Sequence, residues 1–456
     1  MTEIPLARFP AGLAERRVTD PDVKARYAVD ESVGALAPDT FEVVRARDVA
    51  EVIEVLRWAQ QTRTPVVPQG ARSGLAGGAV AIEGGVVLNL EGLDQVLDVD
   101  PLESLAVVGP GVVTAQLKAA AAEAGLCYPP DPASAAFCTV GGNVATNAGG
   151  LCCVKYGVTA DYVRALQVVL PGGEVIKTGH RTAKGVAGLD LTGLFVGSEG
   201  TLGVVTEVTV KLVPAPDPAL TALATFDSLD AASRAIVALR RERHRPCLLE
   251  LLDGASVEAI QALADYGFPP GCEAALIVQS DRAGHTADDV HRYAVVLEAA
   301  GATEVAVADD TQESEALLAG RRALHQALVA RGTHFVEDVC VPVGQLTALI
   351  AAGQEISRRT GVELTMSGHG GDGNLHPSLF FDPLDEASRE RAEAAFGELL
   401  GVALAMGGTI TGEHGVGSLK ARWLPDEVGM ASIERQRAVK SLFDPRGILN
   451  PGRVYW

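Results

Sequence analysis

Val66-Val67-Pro68-Gln69-Gly70-Ala71-Arg72-Ser73-Gly74-Leu75-Ala76-Gly77-Gly78 runs a short apolar stretch into a loop dense in glycine. The β-branched pair before the glycines predicts a strand that stops where they begin. Such a loop lets successive backbone N–H groups point into one concavity, which suits an anion such as a pyrophosphate. An ordinary tight connection has the same appearance, so this loop by itself leaves both readings open.

Two further glycine segments lie downstream. One runs from Pro129 to Gly150 and carries Asp131, Ser134, Thr139, Gly141, Gly142, Asn143, Thr146, Asn147 and Gly149. Its neutral donors and acceptors suit a flat heteroaromatic ring and a sugar. The other, Leu194 to Val205, holds Gly197, Glu199, Gly200, Gly203 and Val204 and leads into a strand over 207–212. Three such loops in one half of a chain point to one large nucleotide cofactor. No strand–G-x-G-x-x-G–helix unit followed by an acidic residue is present, which argues against a nicotinamide site.

Around these loops, residues 1–40 read as short helices and loops. Asp48 caps a helix reaching about Gln61, strands follow over 85–89, 95–99 and 105–108, and Thr114 caps a helix through Ala124. Pro214, Pro216 and Pro218 then mark a boundary. Beyond it strands (220–226, 247–252, 274–279, 304–308, 335–341) alternate with helices (229–241, 255–266, 287–300, 313–330, 345–359). A long helix follows over 385–406. This predicts an α+β chain in which a second domain is a sheet with helices on one side.

That second domain holds the densest chemistry. Ser367-Gly368-His369-Gly370-Gly371-Asp372-Gly373-Asn374-Leu375-His376 sets two imidazoles seven residues apart across a glycine-rich turn, and Thr411-Gly412-Glu413-His414-Gly415 adds a carboxylate and a third imidazole. His369, His376 and Glu413 suit a divalent cation with positions left open, Zn²⁺ or Mn²⁺. His414, with an ordinary pKa of about 6.5, is the natural base at neutral pH. A single histidine beside glycine is usually a polar loop residue; four such groups in two motifs are harder to explain that way. Asp372 is expected to tie down the turn, and Asn374 to contact either substrate or turn.

Composition bounds the rest. At 456 residues the chain is too long for one core, so two or three domains are expected. A net charge of −20 argues against nucleic acid as a partner. Seven cysteines without a C-x-x-C argue against a zinc ribbon or an iron–sulfur cluster and suit reduced thiols. No secretory leader or membrane-length apolar run is evident, so a cytoplasmic protein is expected.

Taken together, the segments at 68–78, 131–150 and 197–203 resemble the flavin-binding domain of the vanillyl-alcohol-oxidase (PCMH-type) superfamily. The His and Glu-His segments, with the tail Asp444 to Gly452, resemble its D-2-hydroxy-acid dehydrogenase branch, and the likeness spans roughly 40–456. It implies a PCMH-type FAD domain over 1–215, a cap with the metal site over 216–415, and a segment over 416–456 that completes the flavin site. FAD is expected along Pro68, Gly70, Ala71, Arg72, Ser73, Gly74 and Gly77, on the second and third loops through Val205, and near Asn450. Relatives with a covalent flavin use His or Cys in the first loop; Ala71, Arg72 and Ser73 imply a non-covalent one.

The same resemblance implies oxidation of a 2-hydroxy acid to a 2-oxo acid, with hydride passing to flavin N5. Arg321 is the expected partner of the substrate carboxylate, although a solvated helix face explains it equally well; Arg72 is a second candidate, and Lys420 is a further charge or a surface residue. Hydroxyglutarate enzymes of the family carry a lysine near the position of Val336 and an asparagine at that of Ser378. Their absence here favours D-lactate or glycolate. D-2-hydroxyglutarate oxidation and a non-catalytic electron-relay subunit are the alternatives. Electrons would leave to a cytochrome, a quinone, an electron-transfer flavoprotein or another subunit, and assembly as a homodimer is left open.

Overall fold

A computed structural model describes residues 9–455. The first eight residues, part of the expectation for 1–40, lie outside the described residues. The chain forms two compact units. One takes the residues up to 150 together with 158–215 and 413–456; the other takes 151–157 and 216–412.

In the first unit, β1 (Phe41–Arg45), β2 (Val66–Gln69) and β3 (Gly85–Asn89) form a parallel sheet in the order β1-β3-β2. All five residues of β3 are buried, as a central parallel strand requires. β4 (Val96–Asp100) and β5 (Leu105–Val108) join a five-stranded sheet, and β6 (Leu126–Cys127) pairs elsewhere with β10 (Val213–Pro214). β7 (Val163–Val169), β8 (Val175–Gly179) and β9 (Val204–Lys211) complete the five-stranded sheet in the order β4-β5-β9-β7-β8.

The helix Val49–Thr62 forms as expected. Asp48 accepts the N–H of Glu51 at 2.9 Å, and Arg63 ends the helix in the left-handed region. Its Val52, Val55 and Leu56 are fully buried against β2 and β3 residues, about 1.5–3 kcal/mol of hydrophobic stabilisation per side chain. The same core takes Ile448 and Leu449 from the far end of the chain. Val66 N–H donates to Ile448 at 2.7 Å and Asn450 N–H to Val66 at 2.8 Å, so the tail runs beside β2.

Two local expectations change. Thr114 is the first residue of the helix Thr114–Glu123, not its cap; its hydroxyl instead accepts from the Asn143 amide at 2.7 Å. Within the second glycine segment, Val140–Thr146 is a helix capped by Thr139. Gly141 and Gly142 argue against a helix, but Gly141 lies where a Cβ would sit 2.6 Å from that of Pro110. Packing overrides propensity there.

The second unit is built on one antiparallel sheet. β11 (Leu220–Phe226), β12 (Leu248–Asp253), β13 (Ala274–Ser280), β14 (Glu304–Val307), β15 (His334–Val336), β16 (Val339–Cys340), β17 (Leu364–His369) and β18 (Asn374–Phe380) order as β14-β11-β13-β12-β17-β18-β15, with β16 also on β18. The single strand expected over 335–341 is thus two short ones, β15 and β16. Leu248, Leu252, Ala275 and Ile277 pack against the helices Gly254–Leu263 and Thr311–Arg331. On the other face Leu251 and Gly370 meet Ile236 of the helix Leu229–Arg241. The expected one-sided cap therefore describes one of two helix-covered faces. Among the described residues no helix is long and apolar enough to cross a membrane.

Candidate active site

In the first unit, the loop after β2 turns its carbonyls into the protein. Gly74 O accepts from Glu31 N–H, Ala76 O from Ser418 and Leu419 N–H, Gly77 O from Ser418 Oγ and Gly78 O from Asn450 Nδ2. Among the described residues, no N–H from Ala71 to Gly78 donates to a protein acceptor. A run of amides left available by inward carbonyls is a nest for an anion, and it fits a pyrophosphate. Gly77 sits at φ +75°, and a Cβ there would run into Ser418 Oγ. Arg72 is spent on shaping the loop: its Nη1 donates to Gly70 O at 3.2 Å and pairs with Glu91 at 3.1 Å.

Backbone strain clusters in the segments expected to hold the flavin. Arg72 (φ 64°), Asn147 (φ 53°), Glu199 (φ 50°) and Asn450 (φ 44°) all adopt the left-handed region. Each costs roughly 1–2 kcal/mol for a residue with a side chain, which surrounding bonds must hold in place. Glu199 shows how. Its buried carboxylate accepts the N–H groups of Val416 and Gly417, both at 2.8 Å, and its own carbonyl accepts from Asn450 Nδ2 at 2.8 Å. Burial pushes this carboxyl up to about 7, against those two N–H groups and the charges of Arg453 and Lys420. Asn450 Oδ1 is buried without a protein partner, an acceptor available to a bound ring.

Other residues expected at the flavin also make contacts within the fold. Asn143 bonds Thr114, Thr146 donates to Gly142 O within its helix, and Asn147 accepts the N–H of Ala160 at 2.8 Å. Pro68 packs on Gly200, and Val204 lies in the core of the first unit. Lys420, left open as a surface residue, is 1% exposed.

In the second unit, β17 and β18 form a hairpin that pairs His369 with Asn374 and Ser367 with His376. Ser378 pairs with Thr365 on one side and Val336 on the other. Residues opposite one another, or two apart on one strand, share a face. His369, Asn374, His376, Ser378 and Val336 thus stand on one face of the sheet. His369 Nε2 and His376 Nε2 lie 3.2 Å apart, with the rings near perpendicular at 85°. Asp372 accepts the N–H of Asn374 at 3.2 Å and so ties the turn, as expected.

Two residues outside the motifs organise this face. Glu250, fully buried on β12, accepts from His369 Nδ1 at 2.6 Å and from Arg321 Nε at 2.7 Å. Burial alone would raise its carboxyl, but the charges and hydrogen bonds of His369 and Arg321 outweigh burial and hold it down at about 2. Its sequence signal was one carboxylate amid Leu248, Leu249, Leu251 and Leu252. Asp338, also fully buried, accepts from Thr411 Oγ1 at 3.0 Å and Gly412 N–H at 2.7 Å, which fixes the chain just before Glu413. His369 and His376 supply two imidazoles on this face, and Glu413 follows directly after the Gly412 that Asp338 holds. That donor set, two imidazoles and a carboxylate, fits a divalent cation. Arg321 points inward between Leu318 and Leu324 of its helix, while Arg322 pairs with Glu315 in solvent. His414 is half-buried directly after Glu413.

The chain matches the FAD binding domain model over residues 42–179 and the model of the C-terminal domain of FAD linked oxidases over 215–454. It is 40% identical to the glycolate oxidase subunit GlcD of Bacillus subtilis, over 91% of this chain and 88% of that one. It is 35% identical to a D-lactate dehydrogenase of Archaeoglobus fulgidus, over 94% of this chain and 95% of that one. Its fold is also that of p-cresol methylhydroxylase with substrate bound, at a TM-score of 0.79 and 19% identity over 98% of this chain and 96% of that chain. With both domain models matched in order and a nest of free amides where the flavin pyrophosphate is expected, the chain belongs to the FAD-linked oxidases and is an FAD-dependent oxidoreductase.

Proposed function

We propose that this enzyme oxidises a D-2-hydroxy acid, D-lactate or glycolate in preference, to the 2-oxo acid with the help of a divalent cation, Zn²⁺ or Mn²⁺. Relatives named for glycolate and D-lactate support the substrate class. One observation carries the reading: the Nε2 atoms of His369 and His376 meet 3.2 Å apart on one face of the sheet, with Glu413 next in the chain after the anchored Gly412. Arg321, the expected carboxylate partner, joins His369 through the shared carboxylate of Glu250.

Bound FAD supplies the hydride acceptor. A cation held by His369, His376 and Glu413 supplies Lewis acidity toward the substrate hydroxyl. The chain does the rest. Arg321 uses only Nε on Glu250, so its two Nη groups remain to grip a carboxylate in bidentate fashion. His414 takes the hydroxyl proton on its imidazole. Val336 and Ser378, facing one another across β15 and β18, offer no cation for a second carboxylate, which favours a small monocarboxylate.

The test is anaerobic bleaching of the flavin across D-lactate, L-lactate, glycolate and D-2-hydroxyglutarate, with metal analysis of the same sample. The expected result is fast bleaching by D-lactate or glycolate and about one Zn²⁺ or Mn²⁺ per chain. A kcat/KM for D-2-hydroxyglutarate well above that for D-lactate would reverse the substrate order. No bleaching by any hydroxy acid would leave the electron-relay reading instead.

A further inference from the structure

Glu250 stands in the middle of β12 with Leu248, Leu249, Leu251 and Leu252 around it, all buried, and is itself fully buried. A carboxylate there is costly unless both oxygens are satisfied. They are, by two residues far away in sequence. Oε1 accepts from His369, 119 residues on, and Oε2 accepts from Arg321, 71 residues on.

Helix packing alone does not call for this arrangement. The helix Thr311–Arg331 already seats Leu318, Leu324, Ala327 and Leu328 against the sheet. A well-packed apolar residue in place of a buried ion pair is commonly as stable or more so. What the carboxylate adds is direction. An acceptor facing Nδ1 requires the proton of a neutral His369 to sit there, which leaves the lone pair on Nε2, the atom 3.2 Å from His376 Nε2. An acceptor engaging Arg321 through Nε fixes the guanidinium plane while leaving both Nη groups unspent.

We propose that Glu250 is a positioning residue that aligns both grips on the substrate at once: it turns His369 Nε2 toward the metal position and presents the Nη edge of Arg321 to the substrate carboxylate. This rests on the reading of His369 as a metal ligand and Arg321 as a carboxylate ligand. Glu250 touches neither metal nor substrate; it acts through the two residues that do.

The test compares FAD-loaded wild type with Glu250→Gln, reading Zn²⁺ affinity by competition with a chromophoric chelator and steady-state kinetics with D-lactate or glycolate. Glutamine keeps the shape, but its amide opposes one of the two donors. Zn²⁺ affinity is expected to fall about 10- to 100-fold, as for other groups that hold a metal-binding histidine, with KM rising alongside while the flavin spectrum is retained. A purely structural Glu250 would lower the melting temperature and leave both values of the folded protein intact. If Glu250→Gln does not fold, Glu250→Asp keeps the charge on an arm one methylene shorter. Unchanged Zn²⁺ affinity in whichever variant folds, against tight binding by the wild type, overturns the Glu250 assignment alone. A wild type that takes up no Zn²⁺ overturns the metal reading and the Glu250 assignment with it.

Discussion

His369 Nε2 faces His376 Nε2 at 3.2 Å across the β17–β18 hairpin. Hairpin register makes the two residues diagonal neighbours, one pair apart on the same face. With His369 Nδ1 turned to Glu250, its Nε2 is the atom left toward His376, where the proposed cation would sit. His369→Ala or His376→Ala is therefore expected to abolish Zn²⁺ retention and lower kcat by at least about 100-fold, a loss comparable to the several kcal/mol a metal supplies. FAD content should stay, since the amide nest lies in the other unit. Metal analysis and the flavin absorbance of one preparation check both; full activity after EDTA treatment would sink the metal role.

Arg321 and Arg322 are neighbours in sequence with opposite surroundings. Arg321 bonds the buried Glu250, and Arg322 pairs with exposed Glu315. Arg321→Lys removes the planar fork and is expected to raise KM for the hydroxy acid by about tenfold or more, because a point charge does not reproduce bidentate recognition. Arg322→Gln should leave KM within about twofold, as surface ion pairs contribute little. Equal effects of the two substitutions would remove Arg321 from the carboxylate site.

Gly77 and Gly84 both have positive φ, +75° and +66°, yet only Gly77 has a neighbour a Cβ would strike. Alanine at either position costs about 1–2 kcal/mol of backbone strain. Gly77→Ala should also weaken FAD binding by about tenfold or more, because Ser418 and the loop amides must shift. Gly84→Ala should lower stability and leave FAD affinity unchanged. Flavin fluorescence on titrating FAD into apoprotein separates the two.

Glu199 makes stability depend on pH in a stated direction. Its carboxyl is raised from 4.5 to about 7 in the folded chain. Between those values the folded state holds a proton that the unfolded state has released. The contribution is thus complete below about 4.5 and is lost as pH rises through 7, on the order of 3 kcal/mol in all at 1.36 kcal/mol per unit. Glu199→Gln cannot titrate, so the fall in melting temperature between pH 5 and pH 8 should be smaller than in the wild type. Identical pH slopes for the two proteins would exclude this assignment.

Val336 and Ser378 are paired across β15 and β18, so one double substitution remakes that wall. Val336→Lys with Ser378→Asn should raise the ratio of kcat/KM for D-2-hydroxyglutarate over D-lactate by about tenfold or more, since an added cation meets a second carboxylate. No change in that ratio would detach these positions from substrate choice.

The glycine loops, the histidine pair and the Glu-His segment were legible because each motif is local: its residues sit within a few positions of one another. The same holds for the helix capped by Asp48 and for β11, whose bounds agree with the sequence pattern. The helix Val140–Thr146 was not legible, because two glycines disfavour it locally and only close packing against Pro110 explains it. The internal partners of Asn143 and Asn147 were not legible either, because Thr114 and Ala160 lie outside the local glycine pattern that singled these residues out.

The sequence by itself determined the class of chemistry: which side chains are available to hold a flavin, a cation and a proton. Tertiary structure alone decided which of them work together. A single glutamate among leucines says only that a buried charge must be paired; it cannot name Arg321 or His369, because burial and partner come from strand order and helix docking. Pairing energies act through space, and the distance between residues 250, 321 and 369 along the chain carries no information about the few ångströms that separate their polar atoms.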